Sequence, residues 1–582
     1  MARLPYEREH RMRKNDLYEI RKISDIRDML YDCGERYAER TAYYVKDEPG
    51  GPYRSIRYKQ LRSNLDGLGT SLLALGLKGK KIALIGENSY EWALTYCTVS
   101  SGVGVVVPLD RELPLSELKN LMIRGGVDAV VYSRRMEKAV LEAAGELPQL
   151  EYLIGMGAET SEGKRYSFWE LVWEGERKVK NGDRSYMDTP VDPNVMSVLL
   201  FTSGTTGLAK GVMLSQKNIV SNVMNMSKYV NASGYIGLSV LPMHHTYEMT
   251  CHILTGMYWG VSIGICEGLK YIQKNMEELH PNVLLAVPAI FEAMYKKVWR
   301  QAEKSGKAKK MKKGLSMSKK LHLGQTPAAR KMFKEVHEAF GGEDRLWISG
   351  GAAIDPGVIE DFRAMGFNMI QGYGMTENSP IIAVNKDFYS KPASAGLPMP
   401  GTDVRIVNAD ESGIGEIICK GPSVMLGYYE NPEETSKVLK DGWLYTGDYG
   451  YFDKEGFLYV TGRKKNVIVT KNGKNIFPEE VEYYLNKSDY IAEVMVYGLE
   501  EENGETVVCA DIFPDFAMIE AHFGETTEEE LRKVLKRELD RINEQMSTYK
   551  WVRRFDVRHT EFEKTTTRKI KRHLAGHNSA EK

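Results

Sequence analysis

The sequence predicts an α/β fold of mixed α+β type. We expect a large N-terminal domain of two layered α/β subdomains and a small β-barrel-like subdomain, followed by a small, mobile α+β domain. Three observations predict this: apolar runs of strand length alternate with helical patterns to about residue 390, short strand patterns separated by turn residues follow from about residue 400, and a separate compact unit ends the chain. A chain of 582 residues is also too long for one small core.

The first alternating region extends to about residue 150. Its order of strands and helices predicts a parallel sheet flanked by helices. The predicted helices are 23–39, 89–99 and 116–124, and the predicted strands are 81–86, 105–109 and 129–132. Residues 156–192 are polar, and we predict an irregular segment there.

A second alternating region begins with a Val- and Leu-rich run at 195–201, which predicts a buried strand. Ser215 is placed to cap a helix that carries Ile219, Val223, Met226 and Val230 on one face. The alternation continues to about residue 390 and predicts a second layered subdomain.

The last part of the chain has shorter elements. Strands predicted at 401–409, 415–420 and 457–462 form the third, barrel-like subdomain. The segment 462–466 marks a boundary, so we predict an N-terminal domain at 1–464 and a C-terminal domain at 465–582. The C-terminal domain has predicted strands at 466–469, 493–497 and 507–513 and two helices, the second of which starts at the capping box Thr527/Glu530.

Composition excludes several classes of protein. The chain has 79 basic and 79 acidic residues, so no global field for nucleic acid is expected. Its six cysteines form no CxxC pair, which indicates reduced thiols and no zinc site. The first residues have no apolar core of signal-peptide length, and the apolar stretches are too short to span a bilayer. These features predict a cytoplasmic protein.

A glycine- and hydroxyl-rich loop at 202–212 follows the predicted strand at 195–201. Glycines let the backbone approach a ligand closely, hydroxyl groups add donors, and Lys210 adds a positive charge, so the loop predicts polyphosphate binding. A Walker A loop is disfavoured because Ala209 precedes Lys210 and Gly211 stands where a Ser or Thr would bind Mg²⁺. A Ser/Gly surface linker is the alternative.

This loop closely resembles the phosphate loop of the adenylate-forming (ANL) superfamily, which includes acyl-CoA synthetases, luciferases and adenylation domains of peptide synthetases. Most members have Pro where this chain has Ala209. The resemblance covers nearly the whole chain, with motifs in family order, and implies the luciferase/acyl-CoA synthetase-like fold. It implies nucleotide contacts from Thr202, Ser203, Gly204, Thr205, Thr206, Gly207 and Lys210.

Further motifs of the superfamily imply the rest of a nucleotide site. In the segment 371–377, Tyr373 would lie against adenine, Thr376 near the phosphates and Glu377 on Mg²⁺. Asp448 would accept hydrogen bonds from both ribose hydroxyls, and Arg463 would add a ribose contact. The other implied nucleotide contacts are Gly351, Ala352, Gln371, Gly372, Gly374 and Met375.

The resemblance also implies residues for the chemical steps. His245 aligns with a histidine at the acyl carboxylate, and Lys569 with the catalytic lysine that bridges the carboxylate and the α-phosphate, although Glu563 and Arg568 depart from the family's Pro and Gly around it. Thr376 and Glu377 are counted among the catalytic residues. Lys465 would be the hinge between the domains, and Gly473 would line the channel for the pantetheine of CoA.

The resemblance implies an AMP-forming long-chain fatty acid–CoA ligase that uses ATP, Mg²⁺ and CoA. Amino-acid-activating members of the superfamily carry an Asp near this position to pair the substrate ammonium, whereas the loop 241–248 offers His, Thr and Tyr, which disfavours an amino-acid substrate. Two alternatives stay open: transfer of the acyl group to the pantetheine of an acyl carrier protein, and a non-catalytic nucleotide- or lipid-binding relative. A homodimer is compatible with the sequence.

A lysine-rich stretch at 296–334 is the main charge asymmetry of the chain. One interpretation is a solvated helix face. The other is a peripheral contact with an anionic membrane, which would place the cytoplasmic protein on the inner membrane face.

Overall fold

The computed structural model describes residues 12–202, 209–470, 475–501, 506–565 and 569–572. The chain forms two compact units. Unit 1 comprises Met1–Val404 and Cys419–Leu444, and unit 2 comprises Arg405–Ile418 and Tyr445–Lys582. The predicted domain boundary after residue 464 falls inside unit 2 and stays a prediction.

Helices and strands alternate along most of the described chain. The helices are α1 Ile26–Arg36, α2 Tyr58–Ala74, α3 Tyr90–Thr98, α4 Leu115–Gly125, α5 Glu137–Glu146, α6 Phe168–Lys180, α7 Gln216–Ser227, α8 Thr255–Tyr258, α9 Ile272–Leu279, α10 Pro288–Lys304, α11 Ala308–Lys320, α12 Pro327–Met332, α13 Lys334–Glu338, α14 Pro356–Met365, α15 Pro432–Val438, α16 Pro478–Leu485, α17 Phe516–Phe523 and α18 Glu528–Asn543. A π-helix at Val99–Val103 directly follows α3, and another at Tyr247–Leu254 directly precedes α8.

Most strands are short, and they alternate with these helices along the chain. They are β1 Thr41–Val45, β2 Arg54–Arg57, β3 Lys81–Ile85, β4 Val105–Leu109, β5 Ala129–Tyr132, β6 Tyr152–Gly155, β7 Arg165–Ser167, β8 Met196–Thr202, β9 Lys210–Ser215, β10 Ile236–Ser239, β11 Ser262–Ile265, β12 Val283–Ala286, β13 Leu346–Ser349, β14 Met369–Gly374, β15 Ile381–Val384, β16 Leu397–Pro398, β17 Asp403–Val407, β18 Gly415–Lys420, β19 Gly427–Tyr428, β20 Leu439–Lys440, β21 Trp443–Phe452, β22 Leu458–Arg463, β23 Ile468–Val469, β24 Asn475–Ile476, β25 Ile491–Glu500, β26 Thr506–Pro514 and β27 Arg554–Val557.

Unit 1 contains two large sheets. One has the order β19-β9-β8-β4-β3-β5-β6-β7, and the other has the order β16-β15-β14-β13-β12-β10-β11-β1-β2. The central strands of both run parallel, as β3 with β4 and β12 with β13 do, and antiparallel pairs lie toward one edge of each sheet, as β8 with β9 and β15 with β16 do. Each sheet has its own apolar core of strand and helix side chains. The predicted α/β fold with two layered subdomains is therefore confirmed.

The prediction of an irregular segment at 156–192 is wrong. This segment contains β7 and α6, and Ser167 caps α6 by accepting a hydrogen bond from the Glu170 amide at 3.4 Å. α6 packs closely on α2 at Gly175. A Cβ added there would lie only 1.8 Å from the carbonyl oxygen of Gly67, so only glycine fits. The polar composition conceals the helix, since only one face of it is buried.

Unit 2 contains its own core, formed around β25 and β26, which pair antiparallel, and β27, which runs parallel to β26. The capping box that begins α18 is present: Thr527 accepts from the Glu530 amide, and the Glu530 side chain accepts from the Thr527 amide at 2.8 Å. The sequence predicts two helices after residue 465, and the described residues contain a third, α17.

Two further predictions can be compared with the described residues. All six cysteines are free and buried, as expected for reduced thiols. Within the described ranges, no helix is long and apolar enough to cross a membrane.

Candidate active site

The ends of the predicted phosphate loop are held together by a pair of antiparallel strands. β8 and β9 pair through six registered positions, of which Thr202 opposite Lys210 is the last before the loop. The Thr202 hydroxyl donates to the Lys210 carbonyl oxygen at 3.4 Å. Ser203, Gly204, Thr205, Thr206 and Gly207 lie outside the described residues. The strand predicted before the loop is confirmed. The residues on either side of the loop lie next to each other at the same end of the paired strands β8 and β9.

Lys210 forms an ion pair with Glu434 of α15. The Lys210 Nζ also lies 5.1 Å from the ring centroid of Tyr428. Hydrogen bonds from Lys210 and then Lys437 lower the pKa of Glu434 to about 2, so this carboxylate is ionised at neutral pH. Glu434, which no sequence motif indicates, thus fixes the lysine at the end of the loop.

Glu377 is held in place by the segment that precedes α15. Its Oε1 accepts a hydrogen bond from the Tyr428 hydroxyl at 2.9 Å, and its carbonyl oxygen accepts from the Met425 amide at 2.8 Å. Tyr428 therefore contacts both Glu377 and Lys210, the two residues that sequence motifs had assigned to the metal and the phosphates.

The other residues of this motif lie on β14 and the turn that follows. Strand β14 contains Gln371, Gly372, Tyr373 and Gly374. Met375 follows it and precedes a short 3₁₀-helix, Thr376–Asn378. Tyr373 pairs with Ala383 of β15. Gly374 is required by packing, because an added Cβ would lie 2.1 Å from the Pro380 carbonyl oxygen.

Gly351 and Ala352 lie at the carboxyl end of β13, the strand next to β14 in the sheet. Both residues are exposed, and Gly351 has φ +83°, which favours glycine. The carboxyl ends of adjacent parallel strands are the usual ligand-binding edge of an α/β sheet. The structure thus brings this loop and the Tyr373 strand to one edge of unit 1.

The loop that carries His245 follows β10 and is anchored by Asn88. The Asn88 amide donates to the Leu241 carbonyl oxygen at 2.7 Å, and its Oδ1 accepts from the Met243 amide at 3.0 Å. The His245 ring centroid lies 4.2 Å from that of His244. Asn88 was not identified from the sequence, since its partners lie more than 150 positions away.

His244 lies next to Asp110 and Arg111, and 12% of its side chain is exposed. Its Nε2 lies 3.6 Å from Asp110 Oδ2. Burial, and secondarily the charge of Arg111, lower the pKa of His244 from 6.5 to about 3, so the ring beside His245 is neutral at physiological pH.

The depressed pKa of His244 predicts a pH-dependent stability. Between pH 6.5 and 3 the unfolded chain binds a proton that folded His244 does not, so stability falls as the pH drops through this window by about 1.4 kcal/mol per unit. The loss from this residue should reach about 2 kcal/mol at pH 5 and should disappear in His244→Asn. Urea unfolding at pH 7 and pH 5 measures it.

His322→Asn is a matched control, because His322 is exposed and its positive φ of 51° tolerates Asn. The attribution to His244 would be wrong if His244→Asn lost as much stability between pH 7 and pH 5 as the parent protein.

In unit 2, Asp448 and Arg463 face each other on β21 and β22. Arg463 Nε lies 2.8 Å from Asp448 Oδ1, and the Asp448 side chain is only 5% exposed. The Thr446 hydroxyl accepts from the Asp448 amide at 3.0 Å and donates to the Ile417 carbonyl oxygen at 2.7 Å. The two residues that the motifs assign to the ribose therefore form an ion pair across adjacent strands.

Lys569 lies next to Ile570, which forms an antiparallel bridge with Lys564. The Thr565 amide donates to the Lys569 carbonyl oxygen at 2.8 Å. Lys569 keeps an exposed surface, yet the pKa of its ammonium lies below its ordinary value because neighbouring atoms displace solvent around the amine. Arg463 lowers this pKa further, whereas Asp448 opposes the shift.

Lys465 and Gly473 complete the predicted set. Lys465 lies in a turn of 3₁₀-helix at Lys464–Asn466, and burial together with Arg463 and Arg572 lowers its pKa. Gly473 lies outside the described residues. The roles of all residues assigned from sequence motifs stay predictions.

The side-chain donors of these residues decide whether they could hold a divalent cation. Within the described ranges, no three His, Cys, Asp or Glu side chains are grouped to hold a metal. Glu377 is a partly buried, fixed carboxylate. Mg²⁺ that is shared with phosphates needs only one or two protein carboxylates, so Glu377 could hold such an ion together with a nucleotide.

Comparison with known proteins identifies the family. The family model described as "AMP-binding enzyme" matches residues 30–429. The chain belongs to the AMP-binding enzyme family. The match includes the loop 202–210, His245 and the segment 371–377, whereas Asp448, Arg463, Lys465, Gly473 and Lys569 lie beyond it.

Relatives of this AMP-binding enzyme include two acyl-activating enzymes. It is 27% identical to the chloroplastic long-chain-fatty-acid–acyl-carrier-protein ligase AEE15 of Arabidopsis thaliana, over 88% of this chain and 79% of that one. It is 28% identical to long-chain-fatty-acid–CoA ligase 1 of Cavia porcellus, over 80% of this chain and 70% of that one.

The fold is shared with O-succinylbenzoate coenzyme A synthetase from Bacillus subtilis, solved with ATP and a magnesium ion. The TM-score is 0.70 at 20% identity, with 94% of this chain and 98% of that chain covered. The adenylate-forming fold predicted for this AMP-binding enzyme is thereby confirmed.

Proposed function

We propose that this AMP-binding enzyme is an AMP-forming long-chain fatty acid–CoA ligase that uses ATP with Mg²⁺. The observation that carries the proposal is the contact of Tyr428 with both Glu377 and Lys210, which joins a carboxylate suited to Mg²⁺ to the lysine at the end of the phosphate loop. The solved relative from Bacillus subtilis holds ATP and magnesium, which supports the same ligands here.

In the first half-reaction, a fatty acid carboxylate oxygen attacks the α-phosphorus of ATP. A bond from this oxygen to phosphorus forms, the bond between the α-phosphorus and the bridging oxygen breaks, and pyrophosphate leaves. Lys210 and the loop would bind the leaving phosphates, Glu377 would hold the Mg²⁺ that neutralises their charge, and Thr376 would contact them. His245 would orient the attacking carboxylate.

In the second half-reaction, the thiol of CoA attacks the acyl carbon. The carbon–sulfur bond forms, the bond from this carbon to the phosphate oxygen breaks, AMP leaves, and the thiol proton passes to solvent. In this proposal Asp448 and Arg463 hold the ribose, and Lys569 stabilises negative charge in the first step. Between the two steps the C-terminal domain rotates about Lys465. This rotation removes Lys569 from the active site and brings Gly473 to the channel for the pantetheine of CoA.

A long-chain fatty acid is the substrate that we propose for the adenylation step. The two relatives named above act on long-chain fatty acids according to their names. Each buried CH₂ contributes about 0.8 kcal/mol, so an apolar tunnel separates chains that differ by several carbons but hardly by one. An acyl carrier protein is the second candidate acceptor, because AEE15 carries it in its name.

Pyrophosphate release tests the proposal directly. We expect release with MgATP to peak with long-chain acids across a series from short to very long, and to turn over repeatedly only when CoA is present. Turnover with a holo acyl carrier protein but not with CoA would favour the second candidate. Absence of release with every acid would contradict both and favour a non-catalytic binding protein.

We also propose that the lysine-rich stretch 296–334, through α11, contacts an anionic membrane. Lys309, Lys310, Lys312 and Lys313 are exposed, and the exposed apolar side chains Met317 and Leu321 lie on or directly after the same helix. Other lysines are neutralised locally, as Lys307 is by Glu335 at 2.7 Å. The cytoplasmic compartment, with this contact on the inner membrane face, stays a prediction.

Liposome co-sedimentation tests the membrane contact. Each basic residue near an anionic surface contributes about 1 kcal/mol, so replacing the four exposed lysines by Gln should lower binding by roughly a hundredfold or more. Binding should also weaken with salt. Equal binding to neutral and anionic vesicles would contradict the proposal.

A further inference from the structure

The last turn of α4 lies beside the end of the phosphate loop. Arg124, in this last turn, donates a hydrogen bond from Nη2 to the carbonyl oxygen of Ala209 at 2.6 Å. Ala209 directly precedes Lys210, the lysine that the motif assigns to the phosphates. Arg124 and Ala209 are 85 positions apart, so no sequence motif connects them. A side chain from a distant helix thus holds the backbone at the end of the loop.

Arg124 also contacts the strand that precedes the loop. Its guanidinium carbon lies 5.8 Å from the ring centroid of Phe201 on β8. This distance is within the range of a cation–π interaction. The Phe201 ring is itself closely packed, because Cβ atoms added at Gly125 and Gly211 would lie 3.4 Å and 3.3 Å from its carbons. Arg124 therefore contacts both segments that flank the loop, Phe201 before it and Ala209 after it.

The positive charge of Arg124 is not neutralised by the described part of the chain. Within the described ranges, Arg124 forms no ion pair, and its Nη1 is buried without a hydrogen-bond partner. A buried N–H is normally satisfied, and a partly buried charge without a counterion costs free energy. An uncharged donor would hold the Ala209 carbonyl oxygen without this cost. The charge therefore indicates an anionic ligand near this end of the loop.

The contact with Ala209 completes a set of contacts around Lys210. The Lys210 backbone pairs with Thr202, its ammonium pairs with Glu434, and Arg124 holds the carbonyl group that precedes it. Because a peptide group is planar, holding this carbonyl oxygen fixes the plane that joins Ala209 to Lys210. Arg124 thereby restricts the direction in which the Lys210 side chain leaves the backbone.

We infer that Arg124 is a positioning residue for the polyphosphate of ATP, an inference that rests on the proposed acyl-activating function. It orients Lys210 through the Ala209 carbonyl group, and its charge attracts the phosphates. AMP and the acyl-adenylate have no β- and γ-phosphates. Arg124 should therefore affect the binding of ATP but neither the binding of AMP nor the thioester step, a selectivity that a purely structural contact would not produce.

Arg124→Gln tests this inference in the full chain. Gln removes the charge and shortens the side chain but stays polar. We expect the KM for MgATP in pyrophosphate release to rise about tenfold or more, the effect of losing one hydrogen bond from a charged group, whereas kcat changes less than about threefold. The Kd of AMP, measured by isothermal titration calorimetry, and thioester formation from pre-made acyl-adenylate should be unchanged.

Two further variants are matched to this one. Arg124→Lys keeps the charge and a donor, so it should raise the KM for MgATP less than Arg124→Gln does. Arg135→Gln removes the same charge from an exposed position on the short 3₁₀-helix before α5, and it should leave this KM unchanged. A thermal melt shows whether each variant is folded. If Arg124→Gln does not fold, Arg124→Lys is judged by the same comparison of ATP with AMP.

The outcomes separate this inference from the function on which it rests. An unchanged KM for MgATP in Arg124→Gln would overturn the inference and leave the proposed function intact. An equal loss of affinity for ATP and AMP, or a slower thioester step, would overturn it in favour of a purely structural contact. Equal effects of Arg124→Lys and Arg124→Gln would overturn the contribution of the charge. Absence of pyrophosphate release by the parent protein with every acid would overturn the proposed function and the inference with it.

Discussion

Lys569→Ala is expected to lower the rate of acyl-adenylate formation by about a hundredfold to a thousandfold. The ammonium of Lys569 lies close enough to Asp448 and Arg463 for both to shift its pKa, which places it beside the predicted ribose site of unit 2. Loss of a preorganised positive charge at a developing oxyanion has an effect of about this size. Pyrophosphate release in a single turnover measures this step.

Thioester formation from pre-made acyl-adenylate should survive the same substitution. Lys571→Ala, two positions away, is the control for removing a lysine from the end of the chain. An equal loss in both half-reactions would contradict the role assigned to Lys569 and would indicate a role in holding the segments 563–565 and 569–571 together.

Glu377→Gln is expected to lower kcat/KM by about a hundredfold or more and to raise the Mg²⁺ concentration needed for half-maximal activity. Gln retains an oxygen that can accept from Tyr428, so the local structure should persist while the anionic ligand is lost. Pyrophosphate release across a Mg²⁺ titration measures both effects.

The control for Glu377→Gln is Glu433→Gln, whose parent carboxylate is 82% exposed and pairs with Lys437 on α15. It removes the same charge from a nearby stretch of unit 1. If Glu377→Gln had the same Mg²⁺ dependence as the parent protein, Glu377 would not be the metal ligand.

Local patterns were sufficient to predict most elements of the fold. The Val- and Leu-rich run that forms β8 is one continuous segment, and Thr527 and Glu530 of the α18 capping box lie within one helical turn of each other. Both signals are local and are therefore visible in the sequence. α6 was missed because the side chains that stabilise it pack on α2, about 100 positions earlier in the chain. That partner has no local signature in the sequence of α6.

The same limit applies to the site. Motifs predicted Lys210 and Glu377, but the residues that fix them are distant in sequence. Glu434 lies 224 positions after Lys210, and Tyr428 lies 51 positions after Glu377. Asn88, which holds the loop of His245, shows no pattern that distinguishes it from an ordinary turn residue. Only folding brings such partners together.

The pairing of Thr202 with Lys210 has a consequence for the affinity of the nucleotide. Joining the two ends of a chain segment costs conformational entropy that grows slowly with its length. Because β8 and β9 already join these ends in the folded protein, that cost is included in the free energy of folding. Polyphosphate binding need not supply it again, so more of the contact energy becomes binding affinity.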